Sequence, residues 1–348
     1  MFTKRLSLWP LLLLLLRITS AQNQVNGISA EGLFLQSDPS LKVSQESGEA
    51  FVERDFTFSS RGTQVGATLC LPLKIEGKVP VLVFLPEPGP SEFAGSFPFV
   101  NLAHMVAQVG IASLRYDKPA LSSAANEARR MTLNEEIFED AVAAIQFASK
   151  LSEADTSAIY LLGHGLGAAL APYVAERSNQ IHGAILLAPS IMPIEYTFAR
   201  EMRENLKDEG KSEAQIQEAL IAQNRILADL RAGKSPNDRM VLGAPTGYWR
   251  DWMNRDLAGR LSELSLPILV LEPGRGAQSD EAEYTKLQSA LNEKPPRLAE
   301  VHWFLNLNAR FVPSVLQPHQ AESIDLEVIE SISSWIQDQT APAPPHTK

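Results

Sequence analysis

Ala158-Ile159-Tyr160-Leu161-Leu162, followed at once by Gly163-His164-Gly165-Leu166-Gly167, reads as a short apolar strand that ends in a glycine-rich turn and passes directly into a helix. Leu166 to Arg177 supplies that helix, with small residues at Gly167, Ala168, Ala169 and Ala171 that let it pack closely on the strand. Glycines ahead of a helix also suit phosphate binding. A dinucleotide-binding turn, however, needs G-x-G-x-x-G and an acidic residue about 20 residues on. Here Ala168 stands at the third glycine, and His182-Gly183 stand where the acid would be.

The strands around this turn set the architecture. Phe51 to Phe58 and Gln64 to Leu71, joined through Ser59-Ser60-Arg61-Gly62, read as an antiparallel hairpin at a sheet edge. Val81 to Leu85, Ile111 to Tyr116, Ala184 to Ala188, Ile268 to Leu271 and Val301 to Phe304 are further strands. Helical spacing separates them: Phe99 to Val109, then Ile137, Ala141, Val142, Ile145 and Ala148 behind a Thr132/Glu135 capping box, and finally Ile324, Val328, Ile332 and Trp335. Alternation of this kind predicts an α/β fold, a mostly parallel central sheet with helices on both faces. Between residues 191 and 248 the pattern turns charged, Gln-rich and Ala-rich, which predicts an inserted helical cap.

At the N-terminus, Lys4 and Arg5 precede an apolar run from Leu6 to Leu16, and Thr19-Ser20-Ala21 follows. Residues 1–21 therefore read as a signal peptide, too short and too interrupted by Pro10 and Arg17 to span a bilayer. Residues 22–50 are a polar lead-in, residues 51–338 the folded domain, and residues 339–348 a Pro/Ala-rich tail. The chain carries 31 basic and 41 acidic residues; loss of Lys4, Arg5 and Arg17 with the leader leaves 28 against 41, a formal charge of −13. Such an acidic chain without a basic tract is not suited to nucleic acid or to anionic lipid. An exported protein is expected, periplasmic or secreted, with no stable membrane insertion after leader cleavage. The six histidines are scattered, there is no H-E-x-x-H, and Cys70 is the one cysteine, so neither metal nor cofactor is expected.

From about Phe51 to Gln337 the order of segments resembles exported bacterial α/β-hydrolases of the serine esterase and acyl-peptidase type. Arg115-Tyr116-Asp117-Lys118 matches a segment that follows the fourth strand in such proteins, and Tyr248-Trp249 with Trp252 resembles their aromatic segment after the cap. In that resemblance residues 163–167 are the nucleophile elbow G-x-S-x-G, whose strained apex lifts a serine above the sheet. The apex here is Gly165.

The other stations the resemblance implies are altered too. The acid should follow the strand ending at Leu271, where Gly276 takes its place; Glu272 and Asp280 are expected to be solvent-facing loop charges. The histidine should follow the last strand, where Ala309 stands, while His302 and His319 lie before and after it. The oxyanion loop reads Pro86-Glu87-Pro88, in which Pro88 lacks an N–H and Glu87 brings negative charge.

Loss of the serine or histidine of a triad costs on the order of 10⁶ in turnover. The expectation is therefore a catalytically inactive hydrolase-fold protein, with Gly165, Gly276 and Ala309 as vestigial positions. It would bind a small-molecule, peptide or protein ligand in the former active-site pocket through Glu87, His164, Leu166, Trp249 and Trp252. The alternative is an exported serine hydrolase, an esterase or peptidase, with a relocated triad drawn from Asp280 and His302 or His319.

Overall fold

A computed structural model describes residues 42–46, 49–88, 99–118, 131–274, 281–295, 298–313 and 323–340. The leader, Gly276, Asp280, His319 and the tail beyond residue 340 lie outside these residues. By contacts the chain divides into two compact units. The larger is built on a nine-stranded sheet and the smaller is helical.

The sheet opens with three antiparallel strands, β1 (Lys42–Glu46), β2 (Glu49–Ser60) and β3 (Thr63–Pro72). Its structure therefore begins before Phe51, inside the segment read as a polar lead-in. Between β2 and β3 the chain turns at Arg61 and Gly62, both at positive φ (51° and 72°). That is the two-residue hairpin geometry whose twist matches the strands it joins.

β4 (Val79–Leu85), α1 (Phe99–Gln108) and β5 (Ala112–Tyr116) follow. A π-helical turn, Asn134–Phe138, then leads into α2 (Glu139–Ala148), and β6 (Ala154–His164) into α3 (Gly165–Ala175). After these come β7 (Gly183–Leu187), α7 (Leu257–Glu263) of the same unit, β10 (Ile268–Pro273), α8 (Glu281–Asn292), β11 (Ala299–Phe304) and α9 (Leu326–Thr340); the elements numbered between β7 and α7 belong to the helical unit. The spatial order is β1-β2-β3-β5-β4-β6-β7-β10-β11. From β5 to β11 every neighbouring pair is parallel.

Parallel strands covered on both faces tend to be near-continuous apolar runs, as β4 and β7 are, and β4, β5 and β7 are buried nearly end to end. One face packs Leu82, Phe84, Tyr160, Leu162, Ile185 and Leu271 under α1 and α9, whose Leu102, Val106, Val328, Ile332 and Trp335 complete the layer.

The helical unit comprises residues 193–255 with the described residues 131–133. It contains α4 (Ile194–Asp208), α5 (Glu213–Arg231), the short hairpin β8 (Met240–Val241) and β9 (Ala244–Pro245), and α6 (Thr246–Met253). A reciprocal capping box starts α5, with the Ser212 hydroxyl accepting from the Gln215 amide and the Gln215 side chain from the Ser212 amide. Met202, Ile216 and Leu220 pack as a small core. Among the described residues, no helix is long and apolar enough to cross a membrane.

Candidate active site

β4 and β6 are parallel neighbours whose ends are in register, Leu85 opposite Gly163. The two segments that leave these ends, Pro86-Glu87-Pro88 and His164-Gly165-Leu166, therefore emerge side by side at the C-terminal edge of the sheet, where open α/β sheets place their ligand sites.

The three glycines of the turn have separate physical reasons. A Cβ on Gly163 would lie 2.7 Å from the Ala168 backbone, and one on Gly167 would lie 2.9 Å from the Leu85 carbonyl oxygen. Helix α3 crosses both strands too closely for any side chain there. Gly165 sits at φ +53°, the left-handed region that strains other residues. A Cβ at Gly165 would lie 2.7 Å from Glu87 Oε1. The Glu87 carboxylate thus occupies the space into which a side chain at the apex would project.

His164 holds it there. Its Nδ1 lies 2.7 Å from Glu87 Oε1 and its Nε2 lies 2.7 Å from the carbonyl oxygen of Ala309. Two acceptors on one ring require both nitrogens to donate, so the arrangement favours the imidazolium. Burial opposes that charge, but the hydrogen bond and charge of Glu87, with the Ala309 carbonyl, prevail and raise the His164 pKa above its ordinary 6.5. The ring packs edge-to-face on Phe99, 5.9 Å between centroids. It is 15% exposed, whereas the Glu87 side chain is 39% exposed and so open to water.

A second polar group flanks the elbow from the segment that follows β7. Ser190 donates its amide to the Gly165 carbonyl (3.1 Å) and its hydroxyl to Glu283 Oε1 on α8 (3.1 Å). Glu272, at the end of β10, is 4% exposed. Burial first, and the nearby Glu283 charge second, push it up to about 8. The expectation that Glu272 faces solvent is thus corrected: the apolar run Ile268 to Leu271 carries it into the interior, where it keeps its proton at neutral pH.

The remaining residues singled out from the sequence fall in other places. Ala309 is buried and meets the site through its backbone. His302 is bound at Nδ1 to Ser331 Oγ (3.0 Å) and at Nε2 to Glu300 Oε1 (2.6 Å), so both its ring nitrogens serve β11 and α9. Leu166 enters the first turn of α3 behind the apex. Trp249 and Trp252 are buried. The Trp249 indole donates to the Val241 carbonyl (2.7 Å) and its ring packs against Phe198 and Tyr248. Arg115 donates to Glu53 (2.6 Å), and the Asp117 amide donates to the Gly66 carbonyl (2.9 Å).

A parallel sheet with a left-handed glycine turn between β6 and α3 defines an α/β-hydrolase frame, and the chain belongs to the α/β-hydrolase superfamily. It is 30% identical over 297 residues to esterase EstD of Thermotoga maritima, covering 83% of this chain and 68% of that protein. Among solved structures, Est1E from Butyrivibrio proteoclasticus matches with a TM-score of 0.53 at 17% identity, covering 83% of this chain and 99% of the other. An acetyl xylan esterase from Paenibacillus sp. R4 matches with a TM-score of 0.51 at 14% identity, covering 86% and 87%. At those identities the two structures speak to the fold alone. No family model matches the chain.

The relationship to an esterase corrects the expectation of a catalytically inactive binding module. That expectation rested on Gly165, Gly276 and Ala309 at the three triad stations. The sequence shared with EstD runs through 83% of the chain, and the elbow's apex is occupied by an ion-paired carboxylate.

Proposed function

We propose that the chain is a carboxylic-ester hydrolase whose working groups stand beside the elbow apex. The relationship to EstD supports the reaction class, and one observation carries the site: Glu87 Oε1 lies 2.7 Å from where a side chain at Gly165 would begin, in contact with His164. In this reading Glu87 is the general base. Its carboxylate takes a proton from water, the resulting hydroxide attacks the ester carbonyl carbon, and collapse of the tetrahedral intermediate expels the alkoxide. That alkoxide recovers the proton from the Glu87 carboxyl. His164 keeps Oε1 aimed at the apex, and the Leu166 amide, in the first turn of α3, serves as the oxyanion donor of this reading. A positioned general base contributes about 10²- to 10⁴-fold.

A second reading is a serine hydrolase with a relocated nucleophile, favoured by the Ser190 hydroxyl on the Glu283 carboxylate and the Ser190 amide on the apex carbonyl. Hydrolysis of p-nitrophenyl acetate and butyrate by the full chain, Glu87→Gln and Ser190→Ala separates the two. The first reading expects Glu87→Gln to lose about 10²-fold or more in kcat, with no labelling by a fluorophosphonate probe. Labelling at Ser190 that disappears in Ser190→Ala establishes the second. Hydrolysis indifferent to both substitutions, or none above buffer, refutes the site.

A further inference from the structure

Lys118 lies two residues beyond the end of β5, and its side chain is 7% exposed. Taking an ammonium out of water is costly unless its charge is matched and its protons are used. Glu136, equally buried in the π-helical turn before α2, supplies the charge at 3.6 Å. Lys118 Nζ also donates to the backbone carbonyl oxygen of Glu87 at 2.6 Å. That carbonyl belongs to the Glu87-Pro88 peptide, which has no N–H, so the carbonyl is its sole polar group. Proline at 88 further restricts Glu87 to extended backbone conformations. Glu87 is consequently pinned at two places: its main chain by Lys118 and its carboxylate by His164.

We infer that Lys118 is a positioning residue of this site, holding the main chain of Glu87 so that its carboxylate stays over Gly165. The kinetic consequence rests on the general-base reading above, whereas the structural consequence does not. Without the tether, the Pro86-Glu87-Pro88 segment is free to withdraw from the apex and His164 loses its anionic partner.

The test uses the full chain and two variants. Lys118→Met removes the tether but strands Glu136 in the interior. Lys118→Met/Glu136→Leu removes both charges together, a change that buried ion pairs often tolerate. The readout is the titration midpoint of the His164 ring by NMR, assigned with His164→Gln, alongside ester hydrolysis. In the parent the midpoint is expected above 6.5, and in whichever variant folds it should fall by about one unit or more. If the general-base reading holds, kcat should also drop at least about tenfold with KM within about twofold, because a misplacement of about 1 Å can cost 10²-fold. A folded variant whose His164 midpoint equals the parent's overturns the inference, as does a parent midpoint at or below 6.5. Failure of the parent to hydrolyse esters would sink the enzymatic reading while the NMR titration still decides the role of Lys118.

Discussion

His164 reaches with Nε2 to the backbone oxygen of Ala309, 2.7 Å away, so a ring from the elbow contacts the segment where related hydrolases are expected to carry their histidine. The same ring meets Glu87 at Nδ1. Because these contacts raise its folded-state pKa, the imidazolium stabilises the fold fully below pH 6.5, and that contribution is lost as pH rises through the higher folded value. Thermal unfolding of the parent should weaken above pH 6.5, and His164→Gln should flatten that part of the profile. An identical slope in the variant would show that the pair does not form.

Glu272 produces a slope of the same sign over a different window. Its folded pKa is raised from 4.5 to about 8, so the folded chain holds a proton that the unfolded chain releases. Stability should fall as pH rises from 4.5 through 8 and level off beyond. Glu272→Gln removes this penalty and should stabilise the protein at pH 8, by at most about 4 kcal/mol. A variant equal to or less stable than the parent at pH 8 would place the carboxyl in water.

The elbow glycines should respond to alanine by different routes. Gly165→Ala forces a Cβ into left-handed backbone and toward the Glu87 carboxylate, for a cost of about 1–3 kcal/mol and a loss of hydrolysis as Glu87 is pushed aside. Gly163→Ala meets the backbone of Ala168 at 2.7 Å, which cannot swing away. Its cost should be at least as large, about 1–3 kcal/mol or more, read as a drop in Tm. Unchanged melting in either variant contradicts the turn geometry.

Cys70 is fully buried on β3, and burial first, then the Glu53 charge, push its thiol up to about 12. Nucleophilic chemistry belongs to the thiolate. A disulfide-exchange reagent should leave the native chain unmodified and react once in denaturant. Labelling of the native chain at the rate of a free thiol would mean that the hairpin opens readily.

Much of the fold was legible because its strands are apolar runs and its turns carry glycine. Phe51 to Phe58, Gln64 to Leu71, Val81 to Leu85 and Ala184 to Leu187 all fall within strands of the sheet. β1 left no such trace: Lys42-Val43-Ser44-Gln45-Glu46 joins the sheet edge through main-chain pairing, which needs no side-chain pattern. The site was half legible. Gly165, Glu87 and His164 could each be singled out, but Glu87 and His164 are 77 residues apart, and only the adjacency of β4 and β6 brings them together. Lys118 stood out only as part of the Arg115–Lys118 segment, with nothing to tie it to Glu87 or Glu136, and Ser190 and Glu283 gave no signal, since a buried polar residue is recognised by its partners and those come from distant elements. Glu272 was misjudged for a related reason. Its charge suggested solvent, while the four apolar residues before it carry the strand inward.

The positive φ of Gly165 separates two properties that a serine at an elbow must combine. A serine there bears the strain of the turn and the chemistry of the hydroxyl at once, so neither can change without the other. With glycine the turn is free of strain and its apex becomes a socket, open to a functional group delivered from a different stretch of chain. The path of the turn and the identity of the acting group can then vary independently, the first set by how α3 crosses β4 and β6, the second by whatever residue the segment after β4 presents.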